Sequence, residues 1–131
     1  MKTVMPMIYF TNLIMINMGI WNKNENKFAN MFITFDTGAS VTTISNEILE
    51  KLGYDSTSGI TKRITTASSV NYVKSINIDK IMIGDLEIDN IEVFAHVFPS
   101  ESFSFGVLGL NVLSMFDVNL IFSRKLIEFS H

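Results

Sequence analysis

Cysteine is absent from the 131 residues, which removes disulfide frameworks, thiolate nucleophiles and cysteine-based zinc sites together. Histidine occurs only at His96 and His131, too few for a multi-histidine centre, so neither a metal nor a cofactor is expected. Charged residues make up 18% of the chain, below the roughly 25% of an average globular protein, which excludes a disordered tail. Ten Lys plus Arg against 13 Asp plus Glu give a net charge of −3. There is no basic stripe to neutralise phosphates, so nucleic acid and anionic membrane are not expected partners. Long apolar runs are missing as well. The stretch from Val4 to Trp21 is broken by Pro6, Thr11, Asn12 and Asn17, short of the roughly 18 uninterrupted apolar residues of a membrane helix. No small-residue cleavage site follows it. With neither leader nor span read from the sequence, a cytoplasmic location is the expectation.

What is present is apolar and β-rich. Hydrophobic residues account for 47% of the chain, and no repeat, low-complexity segment or linker divides it, so residues 1–131 are expected to form one domain. An N-terminal strand is expected over Val4 to Phe10. Leu13 to Ile20 and Phe28 to Phe35 are runs of β-formers joined by the polar cluster Asn22 to Lys27, which predicts a hairpin. A short strand is expected over Val41 to Ile44. Ile48, Leu49 and Leu52 then share a helical face behind a Ser45 or Asn46 cap, and Gly53 is placed to stop the helix. Ile60 to Thr65 and Val70 to Ile78 flank the small, polar Thr66-Ala67-Ser68-Ser69, a second hairpin. Ile81 and Ile83, then Leu86, Ile88, Ile91 and Val93, continue the β pattern across a Gly84-Asp85 turn. Leu110, Leu113 and Phe116 suggest a two-turn helix, and two closing strands over Val118 to Phe122 and Leu126 to Phe129 surround a tight turn at Ser123 to Lys125.

The segment that carries chemistry is Phe32-Ile33-Thr34-Phe35-Asp36-Thr37-Gly38-Ala39-Ser40. An apolar strand delivers one carboxylate into a turn of small residues. Thr37 can hydrogen-bond through its hydroxyl, and Gly38 lets a substrate or a second chain approach the backbone. The tripeptide Asp-Thr-Gly alone occurs by chance in roughly two percent of chains this long, so context has to decide. The plain alternative is a turn aspartate that accepts backbone hydrogen bonds. The Asp-x-Gly-x-Ser pattern also fits the phosphate loop of actin-type ATPases, but those need two large domains. A dehalogenase-type phosphatase needs a second Asp where this chain has Gly38.

Two features settle the context: the hydrophobic strand before Asp36, and a second signature, Val107-Leu108-Gly109, ahead of Leu110-Asn111-Val112-Leu113. Together they resemble the single-domain aspartic proteases of the retropepsin-like family, over roughly residues 12 to 129. The resemblance implies an all-β fold, a closed β-barrel with one or two short helices, and aspartic endopeptidase activity on extended peptides. It implies that Asp36 is catalytic, that Thr37 bonds across a dimer beneath the active site, and that Gly38 binds substrate backbone. Ala39, Val107 and the hairpin tip Ala67, Ser68 and Ser69 would complete the substrate site, the tip closing as a flap. Ala39 lacks the hydroxyl that pepsin-like enzymes carry there, which implies a less acidic optimum within the family.

One carboxylate does not suffice for this chemistry. The ionised member of a pair takes a proton from water while the protonated member donates to the developing oxyanion, and two carboxylates about 3 Å apart share one proton because both cannot ionise cheaply, for which aspartic proteases are the standard case. Asp55, Asp79, Asp85 and Asp89 sit in polar, turn-like contexts, and Asp117 in Phe116-Asp117-Val118 reads as structural. The second carboxyl must come from Asp36 of a second copy, so a homodimer is expected. Two departures from the family pattern stand out. The hairpin tip has no glycine between Thr66 and Ser69, and Leu110-Asn111 lies where viral members often carry a polar or charged residue that helps hold the dimer. A protease-derived peptide-binding or assembly module without catalytic competence is the competing reading. Tyr72 is expected to pack on its sheet, and the Met residues to fill the core or an interface.

Overall fold

The computed structural model describes residues 1–65, 67–98 and 105–131. Eleven strands and two short helices lie among them: β1 (Lys2–Pro6), β2 (Ile8–Phe10), β3 (Leu13–Asn22), β4 (Lys27–Phe35), β5 (Thr43–Ser45), α1 (Asn46–Lys51), β6 (Ile60–Thr65), β7 (Val70–Ile83), β8 (Leu86–His96), β9 (Gly106–Leu108), α2 (Leu110–Leu113), β10 (Asp117–Ile121) and β11 (Leu126–Ser130). The fold is all-β, as expected. The larger sheet runs β2-β3-β4-β9-β5-β8-β7-β6, and an additional β3–β7 pairing, Met18 to Ile20 against Ile83 to Ile81, returns it on itself. Six strands therefore form a ring, with β2 and β6 outside it. Alternation puts Ile16, Met18, Ile20, Ile33, Ile44, Ile78, Ile81, Ile83 and Leu108 inside, where each is fully buried. Each such side chain contributes about 1.5–3 kcal/mol relative to exposure.

The expected N-terminal strand is two strands. Pro6 ends β1, which pairs with β11 in a separate three-stranded sheet, β1-β11-β10, and Ile8 begins β2, which pairs with β3. Met7 makes the crossing, with its N–H donating to the Lys125 carbonyl at 2.8 Å and its side chain buried. Apart from Pro6, the apolar run gives no sign of where the chain changes partner.

The Gly84-Asp85 hairpin is a continuous ribbon whose inward face shifts by one residue halfway. Ile76 and Ile78 face in on β7, then Ile81 and Ile83; on β8 Leu86 and Ile88 face in, then Ile91 and Val93. The shift falls at Asp79 and Asn90, where Asn90 takes φ 54°. The Asp79 N–H there donates to the Tyr54 hydroxyl at 3.3 Å, and that hydroxyl donates to the Trp21 carbonyl at 2.8 Å. Burial pushes the Tyr54 phenol above its ordinary pKa. Helix α1 follows its sequence signals: Leu49 and Leu52 are buried, and Gly53 takes φ 91° beyond its end. Helix α2 is a single turn rather than two, with Val112 and Leu113 buried and Leu110 exposed. No helix among the described residues is long and apolar enough to cross a membrane.

Candidate active site

Strand β4 ends at Phe35, and Asp36 opens the loop that leads to β5. Between β4 and β5 lies β9, parallel to β4 through Thr34 and Phe35 and antiparallel to β5 through Thr43 and Ile44. The loop thus arches over the end of a strand that arrives from 70 residues downstream, and β9 with α2 forms its floor. The Asp36 N–H donates to the Leu108 carbonyl at 3.2 Å, and the Ala39 N–H returns to the Asp36 carbonyl at 3.3 Å. Asp36 is half-buried, and its Oδ1 accepts the Gly38 N–H at 2.8 Å, which orients the carboxylate. Thr37 and Gly38 are exposed, and the Thr37 hydroxyl has no hydrogen bond among the described residues.

The far side of the loop is fastened by α2. A helix start leaves N–H groups without partners, and here Leu110 and Asn111 donate theirs to the carbonyls of Ala39 and Ser40 at 2.8 and 3.1 Å. The Asn111 side chain does more. Its Oδ1 accepts both the Thr42 N–H and the Thr42 hydroxyl, each at 2.8 Å, and its Nδ2 donates to the Glu92 carbonyl of β8 at 2.8 Å. The fully buried Thr42 hydroxyl in turn accepts the Gly109 N–H at 3.1 Å. Gly109 is required by space: a Cβ there would stand 2.7 Å from the Val41 carbonyl carbon and 2.9 Å from both the Ala39 oxygen and the Thr42 nitrogen. Asn111, which stands where viral members often carry a dimer-holding residue, turns inward here as a clamp on its own chain.

A cleft of about 510 Å³ opens beside the loop, lined by Gly38, Ala39, Ser40, Val41 and Thr43 on one wall and by Arg63, Ile64, Thr65 and Phe94 on the other. The second wall includes β6 of the outlying hairpin, which pairs with β7 from Ile60↔Ser75 to Thr65↔Val70 and is exposed along most of its length. A neighbouring cavity shares Thr43, Ile64 and Phe94 and continues along the hairpin past Asn71, Tyr72, Val73 and His96. Tyr72 is 69% exposed, so it does not pack on the sheet as expected. Among the described residues, no carboxylate lines either cavity.

Of the residues singled out from the sequence, Asp36, Thr37, Gly38 and Ala39 lie on one loop, and Gly38 and Ala39 line the cleft. Ala67, Ser68 and Ser69 are exposed at the hairpin's end and are not among the cleft residues, and Thr66 lies outside the described residues. Val107 is half-buried in β9, paired with Thr34 and Thr43. Asp55, Asp79, Asp85, Asp89 and Asp117 are all exposed. Hydrogen bonds from the Thr57 hydroxyl and amide hold the Asp55 carboxyl below the usual range. Thr42, Asn111, Ile64 and Phe94 were not anticipated.

Residues 24–115 match the family described as "gag-polyprotein putative aspartyl protease". Among solved structures, a retropepsin-like aspartic protease from Rickettsia conorii superposes with a TM-score of 0.71 at 22% identity, covering 98% of this chain and 89% of its own. The retroviral protease-like domain of Ddi1 from Leishmania major superposes with a TM-score of 0.59 at 11% identity, covering 90% of this chain and 92% of its own. No curated protein matches the chain. Together with the β9-supported Asp-Thr-Gly loop, the match over residues 24–115 makes the chain a member of the retropepsin-like aspartic protease family.

Proposed function

We propose that residues 1–131 act as one protease domain, and that two copies form a homodimer hydrolysing extended peptides through a dyad of Asp36 and its symmetry mate. The observation that carries this reading is a single oriented carboxylate, half-buried on a loop whose next two residues are exposed, beside a cleft to which no other acid contributes among the described residues. An isologous contact across the Thr37-Gly38 surface would bring the two loops together on a two-fold axis. Thr37, whose hydroxyl has no hydrogen bond among the described residues, would bond across that axis. The Gly38 N–H is engaged by Asp36, which leaves the Gly38 carbonyl to accept from a substrate amide.

The substrate would lie extended between the Gly38 to Thr43 wall and the β6–β7 hairpin, pairing as an added strand. The hairpin, with Ala67, Ser68 and Ser69 at its end, would act as the flap that excludes water; Ala39, and Val107 from the floor, would shape the subsites. In each turnover one Asp36 carboxylate takes a proton from water as its oxygen attacks the peptide carbonyl, and the protonated partner donates to the carbonyl oxygen. Collapse of the tetrahedral intermediate returns a proton to the leaving amine.

The test is hydrolysis of a denatured protein and a peptide library by the purified chain across pH, beside Asp36→Asn, with sedimentation at micromolar concentration. Cleavage lost in the variant, from a dimer, supports the reading. Equal cleavage by both proteins overturns the mechanism, and an active monomer overturns the two-copy dyad. A dimer that binds a substrate mimic bearing a tetrahedral hydroxyl yet cleaves nothing at any pH identifies the binding-module alternative.

A further inference from the structure

One carboxylate outside the Asp36 loop ties together strands that carry the cleft, without lining it. Glu92 lies on β8 two residues from Phe94, on the same outward face, and Phe94 lines both the cleft and its continuation. The Glu92 Oε2 accepts from Lys62 Nζ at 2.5 Å and from the Ser75 hydroxyl at 2.6 Å. Lys62 is on β6 and Ser75 on β7, so one oxygen grips both strands of the hairpin. Strands β6 and β8 are not neighbours, since β7 lies between them, and the Lys62 contact reaches across that intervening strand. The same residue's carbonyl accepts from Asn111, which clamps the Asp36 loop. Lys62 and Ile64 alternate onto one face of β6, and Ile64 is the β6 residue that enters both cavities.

We propose that Glu92 is a positioning residue for substrate: its carboxylate holds the hairpin at the angle that sets the width of the cleft, and its backbone registers that hairpin to the Asp36 loop through Asn111. Among the described residues β6 is paired along one edge only, so an opening motion about the β7 edge meets little other resistance from the barrel. The Lys62–Glu92 pair opposes that motion, and Ser75 fixes the carboxylate rotamer it requires. The effect falls on substrate capture rather than on the proton transfers, because the Glu92 carboxylate bonds Lys62 and Ser75 of the hairpin and not the Asp36 loop. This inference rests on the flap reading of the hairpin, but its first readout does not need activity.

The experiment compares the wild-type chain with Glu92→Gln, which keeps an acceptor for Ser75 and removes the charge, with Lys62→Met, and with the charge-swapped pair Lys62→Glu plus Glu92→Lys. Amide exchange of residues 60–65 is measured first. Each single variant is expected to speed exchange there about threefold, as loss of one partly exposed pair implies, with the swap recovering most of it and exchange in β3 and β4 unchanged. Peptide hydrolysis is measured second, where the singles are expected to raise KM about threefold at unchanged kcat. Unchanged exchange in both singles overturns the inference. So does faster exchange with an unaltered KM in an active enzyme, or a fall in kcat in place of a rise in KM. If no protein cleaves peptide, the protease reading has failed, and the exchange result with binding of a substrate mimic still decides the role of Glu92.

Discussion

Replacing Asn111 by Ala removes three hydrogen bonds at once: two accepted from Thr42 and one donated to the Glu92 carbonyl, all at 2.8 Å. A typical hydrogen bond contributes about 1 kcal/mol net, so the expected loss is about 3 kcal/mol. Thr42 is fully buried, and its N–H cannot turn to water once Asn111 is truncated, which places the loss at the upper end for such changes. For a chain of 131 residues, unfolding entropy of about 2.1 cal/mol/K per residue converts this to a fall in Tm of about 10 °C. Asn111→Asp retains the oxygen that accepts both Thr42 bonds but sets its second oxygen against the Glu92 carbonyl, and is expected to cost about 1–2 kcal/mol. Thermal unfolding followed by circular dichroism measures both, with Asn119→Ala as control. Asn119 is exposed, and among the described residues its side chain bonds Glu128 alone, so its truncation should change stability by less than about 0.5 kcal/mol. If Asn111→Ala shifts Tm no more than Asn119→Ala does, the clamp assigned to Asn111 is wrong. A double-mutant cycle with Thr42→Val sharpens the test, since residues sharing these bonds must give non-additive losses.

Two further outcomes follow from the site and its supports. Gly109→Ala drives a methyl group into the Val41 and Ala39 backbone and is expected to cost about 1–3 kcal/mol; at a temperature where the variant remains folded, kcat should still fall at least about tenfold because the Asp36 loop is displaced. No loss of kcat in the folded variant would show that the contact does not set the loop. The hydrogen bonds from Lys62 and Ser75 hold the Glu92 carboxyl below its ordinary range. Its contribution to stability is therefore complete above the unfolded glutamate value of about 4.3 and is lost as pH falls through the lower folded value. Urea unfolding of wild type and Glu92→Gln should differ most above pH 5 and converge below pH 4; a constant difference across that range would contradict the assignment.

Much of this was legible in the sequence because it is local. The β3–β4 hairpin follows from two β-forming runs around a polar cluster, and α1 from an apolar face ended by Gly53 at φ 91°. The Asp36 loop announces itself through a strand, an acid and small residues in succession. The clamp was hidden because Thr42 and Asn111 are 69 residues apart, and neither stands out among its neighbours. The part of Ile64 and Phe94 in the cleft was hidden for a similar reason: small polar residues mark only the hairpin's turn, whereas the meeting of Ile64 and Phe94 depends on the sheet's curvature. The shift of inward face at Asp79 and Asn90 does leave a trace, since Ile78 is followed by Ile81 and Ile88 by Ile91, but only the pairing shows that the chain stays one ribbon there. The division of the N-terminal strand leaves none beyond Pro6.

The shared dyad is tested most directly by mixing. A fixed amount of wild-type chain is equilibrated with an equal amount of Asp36→Asn and assayed on peptide. If each active site takes one Asp36 from each copy, random pairing places about half of the wild-type chains in inactive mixed dimers, and activity falls to about half; with excess variant it approaches zero. Activity that stays constant at every ratio, in dimers shown to exchange subunits, would mean that a single chain carries the whole site.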